Sequence, residues 1–224
     1  MKKSVIAIDG PAASGKSSAA EAVALALNIP CVNTGSMFRA VTRAAQEAGI
    51  LTAQDCTEDK LNPVIARLQM SYKRRDDGVF DLEVNGVFPG AALRSPGIAS
   101  LVSPVAAVGC VRTFLKKLQR SFAGRGMMVM EGRDIGTEIF PDARWKFFLT
   151  ASPEERARRR LAQAGENVSG ATLEEVAKAI AERDKIDSER AIAPLRPAPD
   201  AEIIDTTGMT LDEVVRHILS EVQP

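Results

Sequence analysis

Gly10-Pro11-Ala12-Ala13-Ser14-Gly15-Lys16-Ser17 follows directly on the apolar run Val5-Ile6-Ala7-Ile8. A buried strand, a glycine-bearing loop and then a helix is the arrangement that wraps nucleotide phosphates. The N–H groups of such a loop point inward and form an anion nest, and the helix adds the positive end of its dipole. The segment Ser18-Ala19-Ala20-Glu21-Ala22-Val23-Ala24-Leu25-Ala26-Leu27 is a strong helix former, so the required helix is present. The pattern predicts that residues 10 to 18, from Gly10 to Ser18, cradle the phosphates of a nucleotide. Lys16 is expected to reach the β- and γ-phosphates, and Ser17 to offer its hydroxyl to Mg²⁺.

Working outward, further short apolar runs read as buried strands: Pro30 to Val32, Met127 to Met130, Trp145 to Leu149 and Ala201 to Ile204. Helical patterns separate them. Such alternation predicts an α/β fold, a three-layer α/β/α sandwich around a parallel five-stranded sheet. Ligands are then expected at the carboxyl ends of the strands. Residues 68 to 90 break the alternation. Asp77-Gly78 and Asn85-Gly86 are hairpin turn dipeptides, so Leu68 to Lys73, Val79 to Val84 and Val87-Phe88 predict a small antiparallel insertion. Arg74-Arg75-Asp76-Asp77 reads as a solvated turn.

The composition narrows the field. Lys plus Arg equals Asp plus Glu, 29 against 29, so no global positive field favours nucleic acid. A single histidine, His217, excludes a multi-histidine metal site, and its late helical context, which makes it a surface residue, argues against a histidine triad. Cys31, Cys56 and Cys110 are odd in number and scattered, which suits a reducing, cytoplasmic compartment rather than a disulfide framework. No stretch approaches the length of a membrane span. Nothing in the pattern demands a partner subunit, so a monomer is expected. Arginines outnumber lysines, 19 to 10, and the guanidinium fork suits phosphate oxygens.

Their placement matters more than their number. Ser152-Pro153-Glu154-Glu155 opens a helix with a cap, a proline at its first position and acids in its first turn. That helix carries Arg156, Arg158, Arg159 and Arg160. Gln163 to Gly170 reads as a mobile tip, and a second helix returns from Thr172 to Asp187 with Thr172 and Glu175 as a capping box. The pair reads either as a lid closing over phosphates or as a solvated basic face. Glu131-Gly132-Arg133-Asp134 sits at the carboxyl end of a buried strand, where charged groups must be paired or bind something. Asn33-Thr34-Gly35-Ser36-Met37-Phe38-Arg39 leaves the second strand, with a helix expected from near Ser36; it reads equally as a phosphate loop or a plain cap. Arg183, Asp187 and Arg190 share a helix face by spacing, and on spacing alone this is a surface ion-pair ladder.

Taken together, these segments resemble the bacterial-type cytidylate kinases of the nucleoside monophosphate kinase family, over nearly the whole chain. Besides the glycine loop, the resemblance is carried by Thr34-Gly35-Ser36-Met37-Phe38-Arg39 and by Leu93-Arg94-Ser95 with Ser103 and Arg112. It is carried further by Gly132-Arg133-Asp134-Ile135-Gly136-Thr137, by Phe140-Pro141-Asp142-Ala143, and by Glu182-Arg183-Asp184 with Asp187, Arg190 and Ala193-Pro194-Leu195. The resemblance implies that Arg39, Arg133 and Arg190, helped by Thr34, hold the monophosphate of CMP or dCMP. It implies that Ser103, Arg112 and Asp134 read cytosine, that Arg183 and Asp187 contact the ribose, and that Arg156 and its neighbours meet the ATP phosphates. Lys16, Arg133, Arg190 and Arg156 are thus the expected catalytic groups. An Asp accepts from the cytosine amino group; uracil leaves such groups unpaired at about 1–3 kcal/mol each. Phe38 stands where the family commonly has Tyr, Glu131 where it often has Asp, and Ser17-Ser18 where Gly-Thr is frequent.

The domain organisation expected is a P-loop core (1–35, 120–151 and 191–224), a monophosphate-binding region (36–119) containing the β insertion, and a lid (152–190). The reaction expected is direct in-line transfer of the γ-phosphoryl of ATP to CMP or dCMP, by alignment and charge neutralisation. A kinase of UMP, dTMP or shikimate shares the same loop and lid. A signalling nucleotide switch needs a guanine-reading Asn/Thr-Lys-x-Asp segment, which the chain lacks.

Overall fold

The computed structural model describes residues 3–77, 79–163 and 170–222. Five parallel strands form the central sheet in the order β2-β5-β1-β6-β7. They are β1 (Lys3–Asp9), β2 (Cys31–Asn33), β5 (Met128–Gly132), β6 (Ala143–Thr150) and β7 (Glu202–Asp205). β3 (Met70–Arg74) and β4 (Phe80–Val84) make a separate antiparallel hairpin. The expected three-layer sandwich with an antiparallel insertion is therefore the fold observed, with strand limits shifted by a residue or two.

Both faces of β1 are apolar and buried, as a central parallel strand requires. Ile6 and Ile8 pack with Val129, Phe147 and Leu149 under α1 (Lys16–Leu27) and α8 (Leu211–Glu221). Val5 and Ala7 face the other way, joining Met128 and Met130 under α2 (Thr34–Glu47) and α5 (Gly109–Ser121). A one-residue slip of β1 would exchange these sets, so the two cores fix its register. Ala19 and Ala20 are fully buried, and their small side chains let α1 approach the sheet closely.

That register places the functional loops. β1 and β5 lie side by side with Asp9 opposite Gly132, and their outgoing connections run in opposite directions, toward β2 and toward β6. A crevice opens at such a switch point. Two further helices, α3 (Glu58–Ile65) and α4 (Pro96–Ala107), flank α2 and α5; α4 and α5 meet at a 92° bend. Among the described residues no single helix is long and apolar enough to cross a membrane.

The hairpin departs from expectation. Val87-Phe88 forms no third strand; Val84 and Val87 make only an isolated bridge across a turn with positive φ at Asn85 (49°) and Gly86 (81°). The turn is so tight that pairing ends at once, and Pro89 supplies no donor to extend it. Tyr72 of β3 donates to the Asn33 carbonyl at 2.7 Å, which docks the hairpin on the end of β2. The expected turn at Asp77-Gly78 lies partly outside the described residues, since Gly78 does. Arg75 pairs with Asp77 and Asp81 in the open, as a solvated turn should.

The paired helices are α6 (Pro153–Ala162) and α7 (Leu173–Glu189). Ser152 caps α6 through the Glu155 amide, and Thr172 with Glu175 closes the expected capping box on α7. Ala12, Ala157, Val176 and Ile180 form a small apolar cluster joining both helices to the glycine loop. The expected mobile tip at Gln163 to Gly170 falls almost wholly outside the described residues. His217 is exposed on α8, with Nε2 2.5 Å from Glu202 Oε1.

Candidate active site

The glycine loop is built by close approach. At Gly10 φ is +153°, and a Cβ there would lie 2.1 Å from the Leu149 carbonyl oxygen, so no side chain fits. Gly15, at φ +86°, precedes α1. Among the described residues, α1 has neither a side-chain cap nor an acid in its first turn, whereas α6, α7 and α8 each have both. An uncapped, acid-free N-terminus leaves its N–H groups and positive dipole end for an external anion.

Lys16 is buried, and its Nζ donates to the Pro11 carbonyl at 2.9 Å. Burial, reinforced by the Arg133 guanidinium, pushes its ammonium down to about 7. Ser17 donates to Glu131 Oε1 at 2.7 Å, and Glu131 is itself buried. Thr34 donates to the Glu131 carbonyl at 2.8 Å, tying the start of α2 to the end of β5.

A cleft of about 970 Å³ runs from this loop to the hairpin. Of the loop residues, Ala12, Ala13, Gly15, Lys16, Ser17 and Ser18 line it. Gly10 and Pro11 shape the loop from behind. Ser14 is fully buried with Oγ lacking a hydrogen-bond partner among the described residues. Of the residues expected to bind the acceptor, Thr34, Arg39, Ser103 and Asp134 line the same cleft, as do Arg133, Arg183, Asp187 and Arg190. Arg112 does not line it: it is buried behind Asp134, paired with that carboxylate, 3.1 Å from the Ala106 carbonyl and over the Phe38 ring at 5.6 Å.

A guanidinium cluster lines the same cleft. Arg133 Nε donates to Asp187 Oδ2 at 3.1 Å, and Ser103 donates to Asp187 Oδ1 at 3.3 Å. Arg190 lies 3.8 Å from Asp134 and 3.7 Å from Asp187, with its side chain only 5% exposed. Burial opposes ionisation of Asp187, yet Arg133, Arg183 and Arg190 together hold its carboxyl below the usual range. Burial, with Arg133 nearby, pushes Arg183 down to about 9. Arg183 Nε and Arg190 Nη2 are buried without a hydrogen-bond partner among the described residues. Four guanidinium groups around two carboxylates, two of them with idle buried N–H groups, make a site suited to an anion. The surface-ladder reading of Arg183, Asp187 and Arg190 is corrected: α7 turns this face onto the cleft, and Arg190 leaves the helix as its C-cap.

Helices α6 and α7 touch the loop directly. Asp184 Oδ1 accepts from the Ala12 amide at 3.3 Å; Arg156 pairs with Asp184 Oδ2 and donates to the Ala12 carbonyl at 3.3 Å. Arg159 is anchored on Thr206, whose hydroxyl lies 3.2 Å from the Ser14 carbonyl. Arg160 also lines the cleft, while Arg158 pairs outward with Glu154.

Sequence reasoning missed three supporting groups: Asp184, Thr206 and Asp9. Asp9 is buried, accepts from the Ile135 and Gly136 amides at 2.8 Å each, and is pushed by burial up to about 7. Its signal was available, since an acid ending an apolar strand needs a partner just as Glu131 does. Thr206 carried no such signal.

A glycine cradle facing a buried guanidinium cluster across one cleft, on a parallel α/β sheet, defines a P-loop phosphotransferase with a phosphorylated acceptor. A family model described as "Cytidylate kinase" matches residues 6–224, and the chain belongs to that family. A cytidylate kinase of Bacillus cytotoxicus is 40% identical over 99% of this chain and 96% of its own length. One of Desulfitobacterium hafniense is 45% identical over 98% of this chain and 93% of its own. A bifunctional pantoate ligase/cytidylate kinase of Prochlorococcus marinus matches at 41% identity, over 97% of this chain but 43% of that longer protein. A solved structure of an uncharacterized protein from Eubacterium ventriosum shares the fold, with TM-score 0.51 and 13% identity over 97% of each chain.

Proposed function

We infer that this enzyme transfers the γ-phosphoryl of ATP to CMP or dCMP, giving ADP and CDP or dCDP. The observation that carries the reading is the pairing of Asp9 with Gly132 on adjacent strands. It starts the phosphate cradle and the Arg133 loop from one rung of the sheet, so donor and acceptor phosphates meet over Lys16.

Lys16, the loop amides and the open end of α1 bind the ATP phosphates. Arg39, Arg133 and Arg190 hold the acceptor phosphate, with Thr34 fixing the turn that carries Arg39. Asp134, backed by Arg112, accepts from the cytosine amino group, with Ser103 nearby; Asp187 and Arg183 contact the ribose. Arg156 leaves Asp184 to meet ATP as the lid closes and water is excluded. The acceptor is already an anion, so positioning and charge neutralisation suffice, and no strong base is required.

The donor set also fits Mg²⁺. Among the described residues no cluster of three His, Cys, Asp or Glu side chains could hold a metal, but the Ser17–Glu131 pair offers two hard oxygens beside the cradle. Mg²⁺ prefers one or two protein oxygens completed by phosphates and water. Ser17 and Glu131 would hold it, and bound there it would neutralise charge on the phosphates being transferred.

The same reading divides the chain into a core (1–35, 120–151, 191–224), an acceptor region (36–119) and a lid (152–190), working as a cytoplasmic monomer; its three cysteines are free thiols. ADP release from ATP·Mg²⁺ with each nucleoside monophosphate in turn tests the activity. CMP and dCMP should turn over well and UMP, AMP and dTMP poorly; equal rates with UMP overturn the cytosine assignment.

A further inference from the structure

Asp9 takes no part in the chemistry above, yet it is buried at the junction of the two half-sites. A carboxylate there is costly unless fully hydrogen-bonded. Its two oxygens are spent on two consecutive amides: Ile135 N–H to Oδ1 and Gly136 N–H to Oδ2, each 2.8 Å. These amides begin a single π turn, Ile135–Ile139, closed by Phe140 N–H donating to the Ile135 carbonyl at 2.7 Å. The other end of the loop is set by the same residue, because Gly132, the last residue of β5, is opposite Asp9 in the β1–β5 ladder. The loop is thus pinned on both sides by one residue, and the two positions left between the pins are Arg133 and Asp134. Asp9 is in turn the residue before Gly10, where no side chain fits and the cradle begins.

We propose that Asp9 is a positioning residue for phosphoryl transfer: its carboxylate sets the loop carrying Arg133 and Asp134 in register with the ATP cradle. A bidentate acceptor fixes the orientation of two amides as well as their position, which is the precision that two end-to-end ligands demand. The proposal rests on reading Arg133 and Asp134 as acceptor-site residues.

Asp9→Asn keeps the volume but turns an amide donor toward one of the two N–H groups. Steady-state kinetics should show kcat/KM for CMP falling of order 10²-fold, much of it in KM, because small displacements of positioned groups carry such costs. The preference for CMP over UMP should fall about tenfold while KM for ATP moves by less than about threefold. A role confined to stability lowers the active fraction, moving kcat alone and leaving both KM for CMP and the base preference in place; that result overturns the proposal. Asp9→Ser carries the test if Asp9→Asn does not fold, because it keeps at most one acceptor oxygen for the two amides and places no N–H donor against them. The same kinetic signature supports the proposal, and an unaltered KM for CMP overturns it. Arg133→Ala separates the two levels. If it leaves kcat/KM for CMP unchanged, the acceptor-site reading fails and takes this inference with it. If it is crippling while Asp9→Asn is silent, only the role of Asp9 fails.

Discussion

The arginines around Asp134 and Asp187 and those on α6 are built differently. Around Asp134 and Asp187 the guanidinium groups of Arg112, Arg133, Arg183 and Arg190 are packed inward, and two of their N–H groups have no hydrogen-bond partner among the described residues. On α6 the acids Glu154 and Glu155 occupy the first turn and Arg159 and Arg160 the last, and Arg158 and Arg159 pair with those acids at i,i+4 spacing. The first cluster is preorganised and short of negative charge, so an acceptor phosphate completes it with little rearrangement. The second is already neutralised, so its arginines must exchange partners to reach ATP. On the proposed function, the rigid cluster binds the acceptor and the exchangeable one serves closure.

Removing a member of the rigid cluster should have the largest effect. Arg133→Ala is expected to lower kcat/KM for CMP about 10³-fold, roughly 4 kcal/mol of transition-state stabilisation. A loss under about tenfold would break the comparison by placing Arg133 outside the reacting centre. Arg112 lies behind Asp134 rather than in the cleft, so Arg112→Ala should act on selectivity. The CMP-to-UMP ratio of kcat/KM should fall about 10- to 100-fold, in line with one or two mispaired buried groups. ATP affinity, read by titration, should stay near wild type.

The exchangeable cluster should give smaller, donor-specific effects. Arg156→Ala is expected to raise KM for ATP about tenfold and to leave KM for CMP within about twofold. An equal rise in both would sharpen the picture differently, making the lid a clamp on both nucleotides. Arg158→Ala, exposed and paired only outward, should change neither constant by more than about twofold.

Lys16 supplies a measurement without mutation. Its ammonium is held down to about 7 in the nucleotide-free protein, mainly by burial and then by Arg133. Phosphate oxygens favour the charged form and raise that value. At pH 8.5 Lys16 is thus mostly neutral when free and charged when bound, so ATP binding should take up to one proton per site. Calorimetry in buffers of different ionisation enthalpy reads that uptake directly. No uptake at that pH means Lys16 is already charged in the empty site.

The parallel sheet, the glycine cradle and the lid pair were legible because each rests on local chemistry: apolar runs, turn glycines, caps and capping boxes. Strand limits slipped by a residue or two, since apolar runs do not mark where a ladder ends. The site was legible only in part. Arg183, Asp187 and Arg190 look like any surface ladder by spacing, and it is the docking of α7 against the sheet that buries them. Thr206 and Asp184 act across 192 and 172 residues of sequence, on Ser14 and Ala12, and no local pattern encodes such meetings. The resemblance singled out Arg112, but its burial behind Asp134, paired with that carboxylate, was not legible from it.

The register that sets Asp9 opposite Gly132 has a last consequence. Donor and acceptor pockets hang from neighbouring strands in the middle of the sheet, so neither can be lost while the other survives. Heating or denaturant should therefore abolish ATP binding, CMP binding and slow amide exchange at Val129 in a single concerted transition. Catalytic competence in this protein is a direct gauge of whether its innermost strands are still zipped together.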